Sequence, residues 1–138
     1  MAFTEGEIAY IHSQPLGRIA TVAADGQPDV VPVTFQFDGE HFYIGGIDPG
    51  RTRRTKNLRA GNDKVALIID DLATVNPWRP RYLRVYGTAE LVDHKSPTGI
   101  QPVMKITPTI SWSVNLTGDH HVGDGDGDFT PHRTIHDT

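Results

Sequence analysis

Residues 30–37 alternate strictly. Val31, Val33, Phe35 and Phe37 share one face; Pro32, Thr34 and Gln36 share the other. A period of two over a run this long belongs to a strand with one buried face, because a helix would scatter the same four apolar side chains around its circumference. Asp38-Gly39 follows as a two-residue hairpin signal, and Phe42 and Ile44 then alternate with His41 and Tyr43. Four more runs read as strands: residues 16–22, 64–69, 82–92 and 110–116. Residues 64–69 are apolar at nearly every position, which predicts a strand covered on both faces. In residues 82–92, Leu83, Val85 and Gly87 are expected inside; in the last run, Ile110, Trp112, Val114 and Leu116 are. Residues 93–108, rich in Pro and Thr, read as a connection. Six strands with frequent turns predict a mainly β protein, a six-stranded antiparallel barrel with short flanking helices. Closure into a barrel removes the exposed edges that so many apolar strands would otherwise present.

Two helices are expected. Thr4 with Glu7 three residues later is a capping-box pattern, so residues 4–13 read as a helix that Pro15 ends. A second helix is expected after residue 48, with Asp48 as its cap, Pro49 at its first position and Gly61 as its terminator. Residues 1–116 then form one domain. Residues 117–138 are a polar tail rich in Gly, Asp and His, without periodicity or a core of its own.

A chain of 138 residues buries a core without staples, and the absence of Cys excludes disulfides, thiolate zinc sites and cysteine nucleophiles. A cytoplasmic protein is the expectation. No run approaches the roughly 20 apolar residues of a membrane span. A formal net charge of −4 argues against a general nucleic-acid binder.

Positive charge is nonetheless concentrated. Arg51, Arg53, Arg54, Lys56, Arg59 and Lys64 supply six of the chain's 13 Lys and Arg residues, directly behind the glycine-rich turn that starts at Gly45 and Gly46. Turn amides and guanidinium forks in that arrangement suit a phosphate-bearing ligand, whereas the plain alternative is a solvated helix face. Trp78, between prolines and arginines, suits either stacking on a planar ring or a lid over the barrel end. Asp70-Asp71 reads as a solvated strand end salted to nearby arginines. Residues 124–135 begin like a calcium loop, but Phe129 stands where its glycine belongs and Ile135 where its glutamate belongs. No designed metal site is expected. No nucleophile elbow, zinc motif or Walker loop is present, and no catalytic side chain is assigned.

Taken in order, residues 16–22, 26–28, 31–35, 42–45, 55–58, 65–71 and 84–90 make the chain resemble the pyridoxamine 5′-phosphate oxidase-like split-barrel family. Within it, the chain is similar to the small actinobacterial branch associated with the deazaflavin cofactor F420. The likeness covers residues 4–116. It implies a split-barrel homodimer with two cofactor clefts at the subunit interface and a small-molecule substrate. It places the cofactor phosphate on the segment containing Arg51, Arg54, Thr55, Lys56 and Asn57, next to Gly45 and Gly46. It lays the isoalloxazine-type ring along Val31, Pro32, Val33 and Thr34, with Trp78 as the contribution across the interface. The cofactor expected is F420, with FMN as the alternative; the activity expected is hydride transfer. A non-enzymatic flavin- or haem-binding protein on the same scaffold is the further alternative.

Overall fold

Thr4 and Glu7 close their capping box. The Thr4 Oγ1 accepts from the Glu7 amide at 3.1 Å, and Glu7 Oε1 accepts from the Thr4 amide at 2.9 Å, so two otherwise orphaned donors are satisfied where α1 (Glu5–Ser13) begins. The structure, a computed structural model, describes residues 2–45, 52–97, 99–123 and 127–137. After α1 come β1 (Gly17–Val22), β2 (Pro28–Val33), β3 (Gln36–Phe37) and β4 (Phe42–Ile44). Then follow α2 (Arg53–Arg59), β5 (Lys64–Leu72), β6 (Pro80–Ser96), β7 (Gly99–Val114) and β8 (His132–Ile135).

The eight strands pair antiparallel in the order β2-β1-β5-β6-β7-β4-β3, with β8 on the side of β7. The two ends of this path, β2 and β3, are consecutive in the chain and only Thr34 and Phe35 separate them. A sheet whose edges are tethered by two residues must curl until those edges meet, which makes it a barrel split at that junction. The interior confirms the closure. Ile19, Val33, Phe42, Ile44, Leu67, Ile69, Leu83, Val85, Met104 and Ile106 come from both ends and the middle of the path and pack in one cluster with Phe3, Tyr10 and Ile11. At about 25 cal/mol per Å² of apolar surface removed from water, this cluster is the main stabilising term.

Several expectations from the sequence are corrected. There are eight strands among the described residues, not six. Residues 93–108 are no loose connection: β6 and β7 are 17 and 16 residues long and pair from Tyr82 opposite Val114 to Ser96 opposite Gly99. The Asp38-Gly39 turn spans four residues, since Phe37 pairs with Phe42; Asp38 Oδ1 holds it by accepting from the amides of Glu40 at 2.9 Å and His41 at 2.7 Å. The cap of α2 is Thr52, whose Oγ1 accepts from the Thr55 amide at 3.3 Å, in place of Asp48, which lies outside the described residues with Pro49. Gly61 does end that helix, in a left-handed conformation with φ 101°.

The facing expected over residues 110–116 holds at Val114, which is buried, and at Leu116, which packs against the core, but not before them. Ser111 and Ser113 are buried, while Trp112 lies outside, its ring centroid 4.2 Å from the Arg84 guanidinium and 4.9 Å from the Tyr86 ring. A bulge sets this facing. Gly87 pairs with Pro108 while Tyr86 pairs with Ile110, so Thr109 is the extra residue. Inward serines need partners, and Ser111 finds one in the tail: His136 Nε2 lies 2.8 Å from its Oγ. Strand β8 thus belongs to the barrel wall. Thr134 is buried opposite Ser111, and the His136 ring centroid is 4.4 Å from that of Phe3.

Strand β5 shows Val65, Leu67 and Ile69 buried and Ala66 and Ile68 half-buried, so its outer face is incompletely covered within one chain. No helix among the described residues is long and apolar enough to cross a membrane.

Candidate functional site

The split in the barrel is where a cavity lies. Thr34, Phe35 and Gln36 come from the β2–β3 junction, Tyr43 and Gly45 from β4 and the residue after it, and His94 and Val103 from the β6–β7 ribbon; together they line a space of about 480 Å³. That volume is within the range of small-molecule and cofactor sites. Register explains the lining. Gln36 pairs with Tyr43, Tyr43 with Lys105, and Lys105 with Glu90; two residues further on, Val92 pairs with Val103, and then His94 with Gln101. Directly paired residues share a face, so this row is the outer surface of the wall whose inner surface carries Phe42, Ile44, Met104 and Ile106.

Arg54 marks the edge of this cavity. Its Nη2 donates to the Gly45 carbonyl at 2.5 Å, joining the first turn of α2 to the end of β4. Burial draws the guanidinium below its ordinary pKa, against the opposing field of Asp29. A cation in this position is only partly compensated, and a phosphate beside it would supply the missing charge and further acceptors. The chemistry of the donor set therefore fits an anionic cofactor. Lys56 is exposed on the same helix.

The other residues expected at the site separate into groups. Thr55 and Asn57 are buried, and Asn57 Nδ2 donates to Thr21 Oγ1 at 2.8 Å, so this amide fastens α2 to β1. Val33 is in the core cluster and Val31 packs against it, whereas Pro32 and Thr34 are exposed on the opposite face; only the latter pair offers side chains outward. Gly46 and Arg51 lie outside the described residues. Trp78 is exposed in the loop between β5 and β6, its carbonyl accepting from the Val122 amide at 2.8 Å. It is not among the residues that line the cavity of its own chain.

In the sequence, Tyr43 is one position of an alternating strand and His94 falls in the run read as a connection. The structure brings both to the cavity. Tyr43 Oη donates to Asp38 Oδ2 at 2.9 Å, which raises the phenol's pKa; the Asp38 carboxyl is lowered to about 2, chiefly by the His41 amide. The signal for His94 was hidden because its strand was read as a connection. The acidic pair at the end of β5 is as expected: Asp70 pairs with Arg18 and Asp71 with Arg81, each at 2.5 Å, and Tyr10 Oη donates to Asp71 at 2.8 Å. Among the described residues no group of three or more His, Asp or Glu side chains is arranged to hold a metal ion.

Comparison with known proteins agrees with this architecture. A 5a,11a-dehydrotetracycline/5a,11a-dehydrooxytetracycline reductase of Streptomyces rimosus is 43% identical over 101 residues, 72% of this chain and 68% of that protein. A solved F420 reductase superposes with a TM-score of 0.61 at 24% identity, over 79% of this chain and 98% of that one. A conserved hypothetical protein of Mycobacterium tuberculosis superposes with a TM-score of 0.66 at 20% identity, over 91% of this chain and 95% of that one. The family model of pyridoxamine 5′-phosphate oxidase matches residues 4–109, nearly the whole barrel. The chain belongs to the pyridoxamine 5′-phosphate oxidase family, as an oxidoreductase built on a split β-barrel.

Proposed function

We propose that this protein is an F420-dependent reductase that delivers a hydride to a conjugated polycyclic ketone, the class represented by the substrate named for the Streptomyces rimosus relative. The observation that carries the reading is Arg54, a half-buried guanidinium at the rim of a cavity of cofactor size. The deazaflavin supplies the hydride when bound, as cofactors generally carry such chemistry. The chain's residues bind, orient and exclude water. Arg54 and Lys56, with Arg51, hold the phosphate; the backbone of residues 31–34 faces the ring. The solved F420 reductase of the same fold supports the cofactor assignment.

The same reading includes a homodimer. The outer face of β1, β5 and β6 carries an apolar hollow of about 530 Å³, lined in part by Ala20, Val22, Val65, Ala66 and Tyr86. A second copy seated there would complete the burial of β5. Trp78, which does not line the cavity of its own chain, would close that of the partner.

The test is a fluorescence titration of purified protein with F420 and with FMN, followed by mixing the reduced complex with 5a,11a-dehydrotetracycline. Saturable F420 binding and return of the oxidised cofactor's absorbance on mixing are expected. Preferential FMN binding transfers the site to a flavin enzyme. Failure to bind either removes the phosphate assignment.

A further inference from the structure

A carboxylate stands close to the basic helix. Asp29 of β2 pairs with Thr21 of β1. Directly paired residues share a face, so Asp29 lies on the face of Thr21, whose hydroxyl accepts from the Asn57 amide of α2 at 2.8 Å. Arg54 and Asn57 are three residues apart on that helix, which makes them neighbours on one side of it. The fold therefore sets the half-buried Asp29 beside the helix face that carries Arg54. The Arg54 guanidinium donates to the Gly45 carbonyl, and among the described residues Asp29 makes no ion pair. Its field still reaches the guanidinium, where it opposes the effect of burial. An anion seated on Arg54 meets this second anion at short range, and their repulsion grows in proportion to the ligand's charge. A phosphomonoester carries about −1.5 to −2 near pH 7, whereas a phosphodiester, with a further oxygen esterified, carries about −1.

We infer that Asp29 is a specificity-determining residue of the phosphate subsite, where its negative charge selects a singly charged phosphodiester over a doubly charged phosphomonoester. This rests on the placement of the cofactor phosphate beside Arg54 in the reading above. Arg54 and Lys56 attract both kinds of ligand, and attraction alone ranks the more highly charged one first. Asp29 offsets that advantage, because it repels the dianion more strongly than the monoanion. Selectivity of this kind comes from an unfavourable contact with the competitor and not from an added contact with the preferred ligand. Within the reductase reading, Asp29 favours F420, whose phosphate is a diester, over FMN, whose phosphate is a monoester.

The test compares the wild-type protein with Asp29→Asn, which removes the charge and keeps the shape. Three ligands share one flavin ring: riboflavin, which has no phosphate, FMN, and the monomethyl ester of FMN, whose phosphate is a diester. Dissociation constants are read by fluorescence titration at about pH 8, where the monoester is doubly ionised. Asp29→Asn is expected to tighten FMN about tenfold and the methyl ester about threefold, because the repulsion is linear in ligand charge and enters the affinity exponentially. F420 is expected to follow the ester. Riboflavin is expected to show the same affinity for both proteins. Asp29→Glu, which keeps the charge, is expected to keep the wild-type ratio of FMN to ester affinity. Equal factors for FMN and its ester, no gain for FMN, or a matching change with riboflavin overturns the assignment of Asp29 and leaves the phosphate site on Arg54 standing. Failure of the wild-type protein to bind F420, FMN or the ester instead brings down the reductase reading, and the selectivity with it.

Discussion

Arg54 serves the fold and, in the proposed reading, the cofactor as well. Its bond to the Gly45 carbonyl fixes the start of α2 against β4, while its partial burial leaves charge for an anion to complement. Arg54→Ala and Lys56→Ala are each expected to weaken binding of the preferred cofactor about tenfold or more, the scale of one charge-assisted contact, as read by fluorescence titration. Asn57 is expected to behave differently. Its amide is spent on Thr21 inside the fold, so Asn57→Ala is expected to lower unfolding stability by about 1–3 kcal/mol in a urea melt, through the buried hydroxyl it leaves without its donor. Unchanged cofactor affinity in the two basic variants would remove their side chains from the site.

Strand β7 and the element that covers it carry the next expectations. Gly87 sits where a Cβ would meet the Thr107 carbonyl oxygen at 2.6 Å, a backbone atom that cannot swing away. Gly87→Ala is expected to shift or remove the bulge at Thr109 and cost about 1–3 kcal/mol, seen as a lowered thermal midpoint. Docking of β8 is expected to depend on pH. Burial holds the His136 pKa below its ordinary value, with Glu7 and Asp137 opposing, and its ring sits against Phe3 and Ser111. A released tail takes up a proton near pH ~6.5, where the docked one does not. The docking energy is therefore fully present above that pH and is lost as pH falls through the lowered folded value. Amide exchange at Thr134 should show protection falling between pH 7.5 and 5.5 beyond the intrinsic rate change (a window of about two units around the imidazole range). His136→Gln should abolish that dependence.

For the proposed dimer the outer face of β5 carries the test. Ala66 and Ile68 are half-buried in the single chain, beside an apolar hollow large enough to seat side chains of a second copy. Ile68→Asp is expected to convert a dimer to a monomer in sedimentation velocity. If Trp78 completes the partner's site, that variant also loses cofactor affinity although every residue of its own cavity is intact. A wild-type monomer that binds cofactor normally would sink the two-chain site.

Local pattern was sufficient for much of the architecture. The capping box at Thr4, the inward set Val31, Val33, Phe35 and Phe37, the stop at Gly61 and the antiparallel β class follow from residue spacing, because burial of one face imposes its period directly on the chain. The order of the strand motifs was enough to indicate the family. Three features were decided only by contacts between distant residues. The bulge opposite Gly87 turned Trp112 outward and the serines inward, an effect that no alternation within β7 encodes. Strand β8 is polar and short, and becomes a strand because β7 offers it an unpaired edge and Ser111 needs His136. The cavity itself exists because β2 and β3 end the sheet two residues apart, bringing Thr34 and Gly45 to a ribbon whose His94 lies some 50 residues away in the chain. Short-range periodicity records which face of a strand is apolar; which strands meet, and what they enclose between them, is a property of the closed sheet.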